Sequence, residues 1–187
     1  MKRHHHSGKS SAGFLNYTKI IDISKIRDDS NIIDIGCKMG DFVIALAKSS
    51  KVKQIYALDI FIEGIEKLKE KIREKSIKNI ICVNEDITQK TSLPEIFFDY
   101  AFMIDVFHGF YVNKECELVL RELRRILKPG GRVITVDFRK YIPLLGPPIS
   151  ERVSTDDLKN IFESNGYKTA DILGLGLTHY LIIFDKK

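Results

Sequence analysis

Short apolar runs that close on glycine or an acid alternate along this chain with stretches whose apolar residues return every three or four positions. The runs NIIDIG (31–36), QIYALD (54–59), IICVNED (80–86), DYAFMIDVF (99–107) and RVITVDF (132–138) predict buried strands, because each is brief, apolar and bounded by turn residues. Helical spacing marks 14–26 through Leu15, Ile20, Ile23 and Ile26, then 41–49, then 61–75 through Ile65, Leu68 and Ile72. It returns over 114–127 through Val119, Leu120, Leu123, Ile126 and Leu127, where Lys128-Pro129-Gly130-Gly131 stops it. A further helix opens near Ser154-Thr155-Asp156-Asp157, an N-cap hydroxyl followed by acids, and closes at Asn165-Gly166. Two strands follow, around 169–173 and 178–184, with only Gly174-Leu175-Gly176-Leu177 between them. So short a link cannot cross over a sheet, which makes the final strand antiparallel.

Repeated strand–helix units of this kind predict an α/β architecture: a Rossmann-like, doubly wound sheet of seven strands, mostly parallel with one antiparallel strand near the C-terminus. Ligands of such sheets bind beyond the carboxyl ends of the strands, at the point where the strand order reverses. The first strand ends in Asp34-Ile35-Gly36-Cys37-Lys38-Met39-Gly40-Asp41. Gly36 and Gly40 let the backbone turn sharply and approach a ligand, although the same spacing also suits an ordinary tight turn. Asp59, 23 residues after Gly36, ends the second strand, where a carboxylate can accept both hydroxyls of a ribose or can serve as a solvated helix cap. Asp86, with Ile87 beside it, ends the third, where an acid and an apolar side chain could meet an adenine. Three acids at consecutive strand ends predict one nucleoside pocket.

At 187 residues, 44% apolar and 29% charged, the chain suits one globular domain, expected over 13–187 behind a flexible polar arm at 1–12. No apolar run reaches the roughly 18–20 residues of a membrane span, the longest being broken by Asp99 and Asp105, so no membrane insertion is expected. No secretory pattern follows the basic start, and a cytoplasmic location is the expectation. Cys37, Cys82 and Cys116 form no CxxC pair and are odd in number, which disfavours disulfides and a cysteine zinc site and predicts buried small hydrophobes. Lys2, Arg3 and Lys9 supply three of the five net positive charges, leaving no basic face, so no nucleic-acid partner is expected.

In order along the chain, IIDIGCKMG (32–40), ALD (57–59), NEDI (84–87), FDYAFMIDVFHGF (98–110) and LRELRRILKPGGRVITVDF (120–138) resemble the motifs of class I S-adenosylmethionine-dependent methyltransferases, particularly the small UbiE-like (type 11) group. The resemblance extends through GPPISERVSTDDL (146–158), the NGY helix end and the THYLIIF strand, and its LKPGG element after an Arg-rich helix is its most specific part. It implies S-adenosylmethionine as cofactor and a small-molecule acceptor. Asp34 would set the glycine loop and reach the methionine amino group, Gly36 would pass close to the methionine portion, and Cys37, Lys38 and Gly40 complete that loop. Asp59, with Ile60 beside it, would hold the ribose; Asp86 and Ile87 would meet the adenine; Asp105 would lie near the sulfonium. Lys38 departs from the pattern, which usually carries a second glycine there. If the position needs positive φ, lysine is strained by about 1 kcal/mol or more, though its charge could meet the cofactor carboxylate.

Methyl transfer from a sulfonium needs alignment and exclusion of water more than a strong base, so the lack of a catalytic triad excludes nothing. His108, after the fourth strand, and His179, at the start of the last, could face the acceptor, with Asp105 and His108 as the candidate catalytic pair. His108 could equally cap the next helix and His179 satisfy a core hydrogen bond. His4, His5 and His6 could fold over the same rim as a base or a small metal site, but a metal is not the expectation. Phe107, Phe110, Tyr111, Tyr141, Ile142, Leu144 and Leu145 give packing or an apolar acceptor surface, and the Pro/Gly-rich loop beyond the fifth strand is placed as a lid would be. A catalytically silent binding or scaffold module is the main alternative. RNA or protein methylation would want a basic tract or an Asn/Asp-Pro-Pro-aromatic element where this chain has Asp105-Val106-Phe107-His108. A nicotinamide dehydrogenase would want GxGxxG.

Overall fold

A computed structural model describes residues 15–49, 52–141 and 146–187. The arm at 1–12 with its three histidines, Phe14, and Ile142, Leu144 and Leu145 lie outside these residues. In chain order the elements are α1 (Tyr17–Ser24), β1 (Asn31–Ile35), α2 (Asp41–Ser49), β2 (Gln54–Leu58), α3 (Ile62–Glu74), β3 (Ile80–Val83), β4 (Phe98–Ile104), α4 (Phe107–Val112), α5 (Cys116–Ile126), β5 (Leu127–Phe138), α6 (Thr155–Ser164), β6 (Tyr167–Leu175) and β7 (His179–Lys186). The strands form one seven-stranded sheet in the order β3-β2-β1-β4-β5-β7-β6. β7 alone runs against its neighbours, β5 and β6, as the short link before it requires.

From β1 the chain winds outward through β2 and β3, then returns to the other side of β1 as β4, so the order reverses between β1 and β4. Helices cover both faces. Ile20, Val43, Leu46 and Leu68 from α1, α2 and α3 pack on one face, and Phe107, Val119, Leu123 and Phe162 from α4, α5 and α6 on the other. Strand alternation divides β1 between the two: Ile33 and Ile35 join the second layer, and Ile32 joins the first. Asp34 therefore shares the face of α1 and α2.

Several elements differ from the sequence reading. The lead-in helix is shorter than 14–26: Asn16 caps it, accepting the Lys19 amide at 3.0 Å, and Lys25 ends it at φ 47°. β3 stops at Val83, because Asn84 turns away and donates to the carbonyls of Asp59 and Ile60. LKPGG does not stand between helix and strand but begins β5, whose register against β4 shifts between the Phe98–Leu127 and Tyr100–Arg132 pairs. The added residues bulge there, and pairing continues to Phe138. α4 is an element that periodicity did not mark.

Candidate functional site

The loop after β1 turns through two left-handed glycines, Gly36 at φ 73° and Gly40 at φ 76°, and through Lys38 at φ 53°. Such a conformation is inexpensive for glycine and strained for lysine, so the surroundings must hold Lys38 there. They do so from two sides. The Lys38 amide donates to Asp59 Oδ2 at 2.7 Å, and the Lys38 carbonyl lies so close to Gly64 of α3 that a Cβ at Gly64 would be 2.7 Å from its oxygen. Lys71, further along α3, donates from Nζ to the Met39 carbonyl at 2.9 Å and to Asp41 Oδ1 at 2.7 Å. α3 thus clamps the loop, and Leu68 fills the space beside Gly40.

Asp59 follows β2 and is 5% exposed, which excludes the solvated-cap reading. Its second oxygen accepts the Phe61 amide at 2.9 Å, so both oxygens are oriented by backbone donors while each keeps a lone pair for a further partner. Asp86 accepts the Thr88 amide at 2.9 Å and its hydroxyl at 2.7 Å, which folds the segment so that Ile87 is buried. That segment is tied to α5 by buried Glu122, which accepts from the Thr91 amide and hydroxyl, and by Arg125, which donates to the Leu93 carbonyl at 2.9 Å.

Beyond β4, Asp105 sits at φ 53°, and neither of its buried carboxyl oxygens makes a hydrogen bond. His179 Nε2 lies 3.2 Å from Asp105 Oδ1 but off the angle of a hydrogen bond. The His179 ring rests 4.2 Å from the Phe138 ring centre, and its Nδ1 shares a 2.8 Å hydrogen bond with Thr178. His108, in the first turn of α4, pairs through Nδ1 with Asp137 Oδ1 at 2.8 Å. Burial opposes a charged imidazole, yet the charge and hydrogen bond of Asp137, helped by Asp105, hold the His108 pKa above its ordinary value. Burial likewise opposes the Asp137 charge, and His108 with the amides of Phe138 and His108 holds that carboxyl below its usual range.

These pieces surround one cavity of about 330 Å³ at the carboxyl ends of the strands, within the usual size of small-molecule sites. Gly36, Lys38, Asp59, Ile60, Asp86, Ile87, Asp105 and His108 all line it. Asp34 and Cys37 do not. They line a smaller adjoining cavity of about 20 Å³ with Tyr17 and Phe42, because strand alternation turns Asp34 toward α1 and α2. The expected convergence of the acids at 34, 59 and 86 is thus corrected: Asp59 and Asp86 share the large cavity, joined by Asp105 in place of Asp34. Burial, and then Asp59, push the Asp34 carboxyl well above its ordinary range, with Lys38 pulling the other way. Gly40 lines neither cavity and packs against Leu68. His179 does not line the large cavity, Phe107 is core, Phe110 lines the cavity, and Tyr141 is exposed. Burial pushes all three thiols up, and Cys82 is only half-buried. Among the described residues no cluster of His, Cys, Asp and Glu could hold a metal ion, and no helix is long and apolar enough to cross a membrane.

Residues 26–172 match the methyltransferase-domain family. The chain belongs to that family. Over 128 residues it is 28% identical to the ubiquinone/menaquinone biosynthesis C-methyltransferase UbiE of Yersinia pestis bv. Antiqua, covering 68% of this chain and 49% of that protein. The chain thus spans about half the length of the curated relatives it matches. Its fold is similar to the crystal structure of a SAM-dependent methyltransferase from Aquifex aeolicus, with a TM-score of 0.85 at 22% identity over 96% of this chain and 94% of that one. It is also similar to the [4+2]-cyclase SpnF, with a TM-score of 0.78 at 13% identity over 91% and 79%.

In this methyltransferase-domain chain the sequence reading missed Asp137, Gly64, Lys71 and Glu122. Asp137 carried a usable signal, since RVITVDF ends on an acid as the earlier strands do. Gly64 and Lys71 carried none, because their role depends on how α3 lies across the loop.

Proposed function

We propose that this chain is an S-adenosylmethionine-dependent methyltransferase acting on a small acceptor. The observation that carries the reading is the single cavity gathering Asp59, Asp86 and Asp105 from three successive strand ends of a methyltransferase-family fold. Its chemistry fits a nucleoside with a charged tail. Asp59, its oxygens set by the Lys38 and Phe61 amides, accepts the ribose hydroxyls; Asp86 accepts from the adenine amino group; Ile87, Leu58 and Ile60 cover the ring. Gly36 and Lys38 lie along the methionine segment, while Asp34 reaches its amino group from the adjoining cavity.

When bound, the cofactor supplies an electrophilic methyl group whose bonding electrons leave with sulfur. The protein's own part is alignment and dryness. Asp105, His108 and Phe110 form the end of the cavity where the acceptor sits. Asp137 holds the His108 ring through Nδ1 and raises its pKa, and His108 and Asp105 are the side chains of that end placed to exchange a proton with the acceptor. The likeness to a C-methyltransferase and the apolar wall support a small, partly hydrophobic acceptor.

Calorimetric titration with S-adenosylmethionine tests the reading: saturable binding at micromolar concentrations is expected, and no heat at millimolar cofactor would overturn it. Transfer of labelled methyl to a panel of small phenols, amines and thiols then locates the acceptor class. A second reading, a module of the same fold that transfers no methyl group, is favoured by the likeness to SpnF, named for a cyclase activity. Cofactor binding without transfer to any acceptor would support it.

A further inference from the structure

Half-buried Lys38 lies between the two cavities and lines both. Among the described residues its ammonium has no hydrogen-bond or ion-pair partner, although Lys69, Lys71 and Lys128 are all paired. The neighbouring acids of the two loops do not pair with it: both oxygens of Asp59 take backbone amides, and Asp34 faces α1 and α2. Its charge nevertheless acts on both sides, drawing the Asp34 carboxyl down and opposing a proton on His108. The chain keeps this side chain on a backbone conformation at φ 53° that glycine would adopt with less strain.

A ligand carboxylate entering between Asp34 and Asp59 would be repelled unless a cation stood with it. The other cations of the cavity wall are unsuited: His108 is bound to Asp137, and Lys67 is exposed on α3. We infer that the Lys38 ammonium is the carboxylate-recognising group of this site, selecting ligands that carry a carboxylate at the end of the cavity nearest Gly36. The inference rests on the function proposed above, under which that carboxylate is the one on the methionine segment.

The test compares the affinities of S-adenosylmethionine and decarboxylated S-adenosylmethionine by calorimetry for the wild type, Lys38→Met, Lys38→Gly and Lys67→Met. The wild type is expected to prefer the carboxylated ligand by about tenfold or more, the scale of one charge-assisted contact. Both Lys38 variants lose that preference through weaker binding of S-adenosylmethionine alone, and Lys67→Met keeps it. Thermal melting shows that the variants are folded, and Lys38→Gly relieves strain rather than adding it. A preference retained in Lys38→Met, or lost in Lys67→Met instead, overturns the inference. Equal wild-type affinity for both ligands overturns it while leaving the cofactor reading intact, and a wild type that binds neither overturns both.

Discussion

Asp137, at the end of β5, grips His108 twice, through a 2.8 Å contact from Oδ1 to the imidazole Nδ1 and a 3.0 Å bond from Oδ2 to the backbone amide. The second bond satisfies an amide in the first turn of α4, which has no side-chain cap at Val106. One carboxylate therefore fixes both the start of that helix and the ring it presents to the cavity. The strand-end position of an acid, read along the sequence as a ligand contact, here serves the protein itself.

The pair makes stability depend on pH in a definite direction. His108 has a raised pKa in the fold, so its contribution is complete below the ordinary histidine value of 6.5 and is lost as pH rises through the folded value. Asp137 has a lowered pKa, so its contribution is present above the ordinary 3.8 and is lost as pH falls through its depressed value. Stability from this pair is greatest between those limits. Asp137→Ala removes the carboxylate partner of a buried imidazole and is expected to cost about 3–5 kcal/mol by denaturant unfolding. Asp137→Asn keeps an acceptor for the amide but lowers the His108 pKa, read by NMR titration of the ring; an unchanged titration would refute the coupling.

Asp59→Ala is expected to weaken S-adenosylmethionine binding by about tenfold or more, the loss of charge-assisted bonds to two hydroxyls. It is also expected to destabilise the fold. Its carboxylate holds the Lys38 and Phe61 amides, so its removal takes the acceptor from two part-buried backbone donors, at about 1–3 kcal/mol for each donor that water does not reach. A variant with unchanged affinity rejects the ribose role, and one with unchanged melting temperature rejects the anchoring role.

Much of this site was legible because parallel strands announce their ends. Asp59, Asp86 and Asp105 each stand one to three residues beyond an apolar run, and the fold delivers all three to one rim. Asp34 stands apart from these three for a reason the sequence already contained. It lies inside β1, where alternation with Ile33 and Ile35 assigns it the opposite face, whereas Asp59 follows its strand. α4 was invisible to periodicity, since six residues give less than two turns. The clamp of α3 on the glycine loop depends on tertiary approach, which spacing along one helix does not encode.

Glu122 offers a test of the wall behind Asp86 and Ile87. It is buried, and although burial raises a carboxyl pKa, the Arg125 and Thr91 hydrogen bonds bring this one below its ordinary 4.5. Its contribution is thus present above 4.5 and disappears as pH falls through the depressed value. Glu122→Ala removes the carboxylate that Arg125 and the Thr91 amide and hydroxyl share, leaving Arg125 its bonds to the Leu93 and Thr91 carbonyls, and is expected to cost about 2–4 kcal/mol. Because the segment behind Asp86 and Ile87 is released, amide exchange over 86–93 should quicken beyond the rise set by lost global stability. Uniform acceleration across the chain would show that Glu122 supports the fold without specifically bracing this wall.

Gly109 separates stability from ligand binding with a single methyl group. It lies within α4 on an ordinary helical backbone, and a Cβ there would meet no atom within 4 Å, because the space before it is the cavity. Alanine restricts the unfolded chain more than glycine and suits a helix better, so Gly109→Ala is expected to raise stability by about 0.5–1 kcal/mol. The same methyl projects into the acceptor end beside His108 and Phe110. Methyl transfer should fall through a higher KM for the acceptor, with S-adenosylmethionine affinity changed by no more than about twofold, since Asp59 and Asp86, the residues proposed to meet the adenosyl group, lie elsewhere on the wall. Should this variant melt higher yet bind the cofactor far more weakly, the acceptor and methionine ends of the cavity have been assigned the wrong way round.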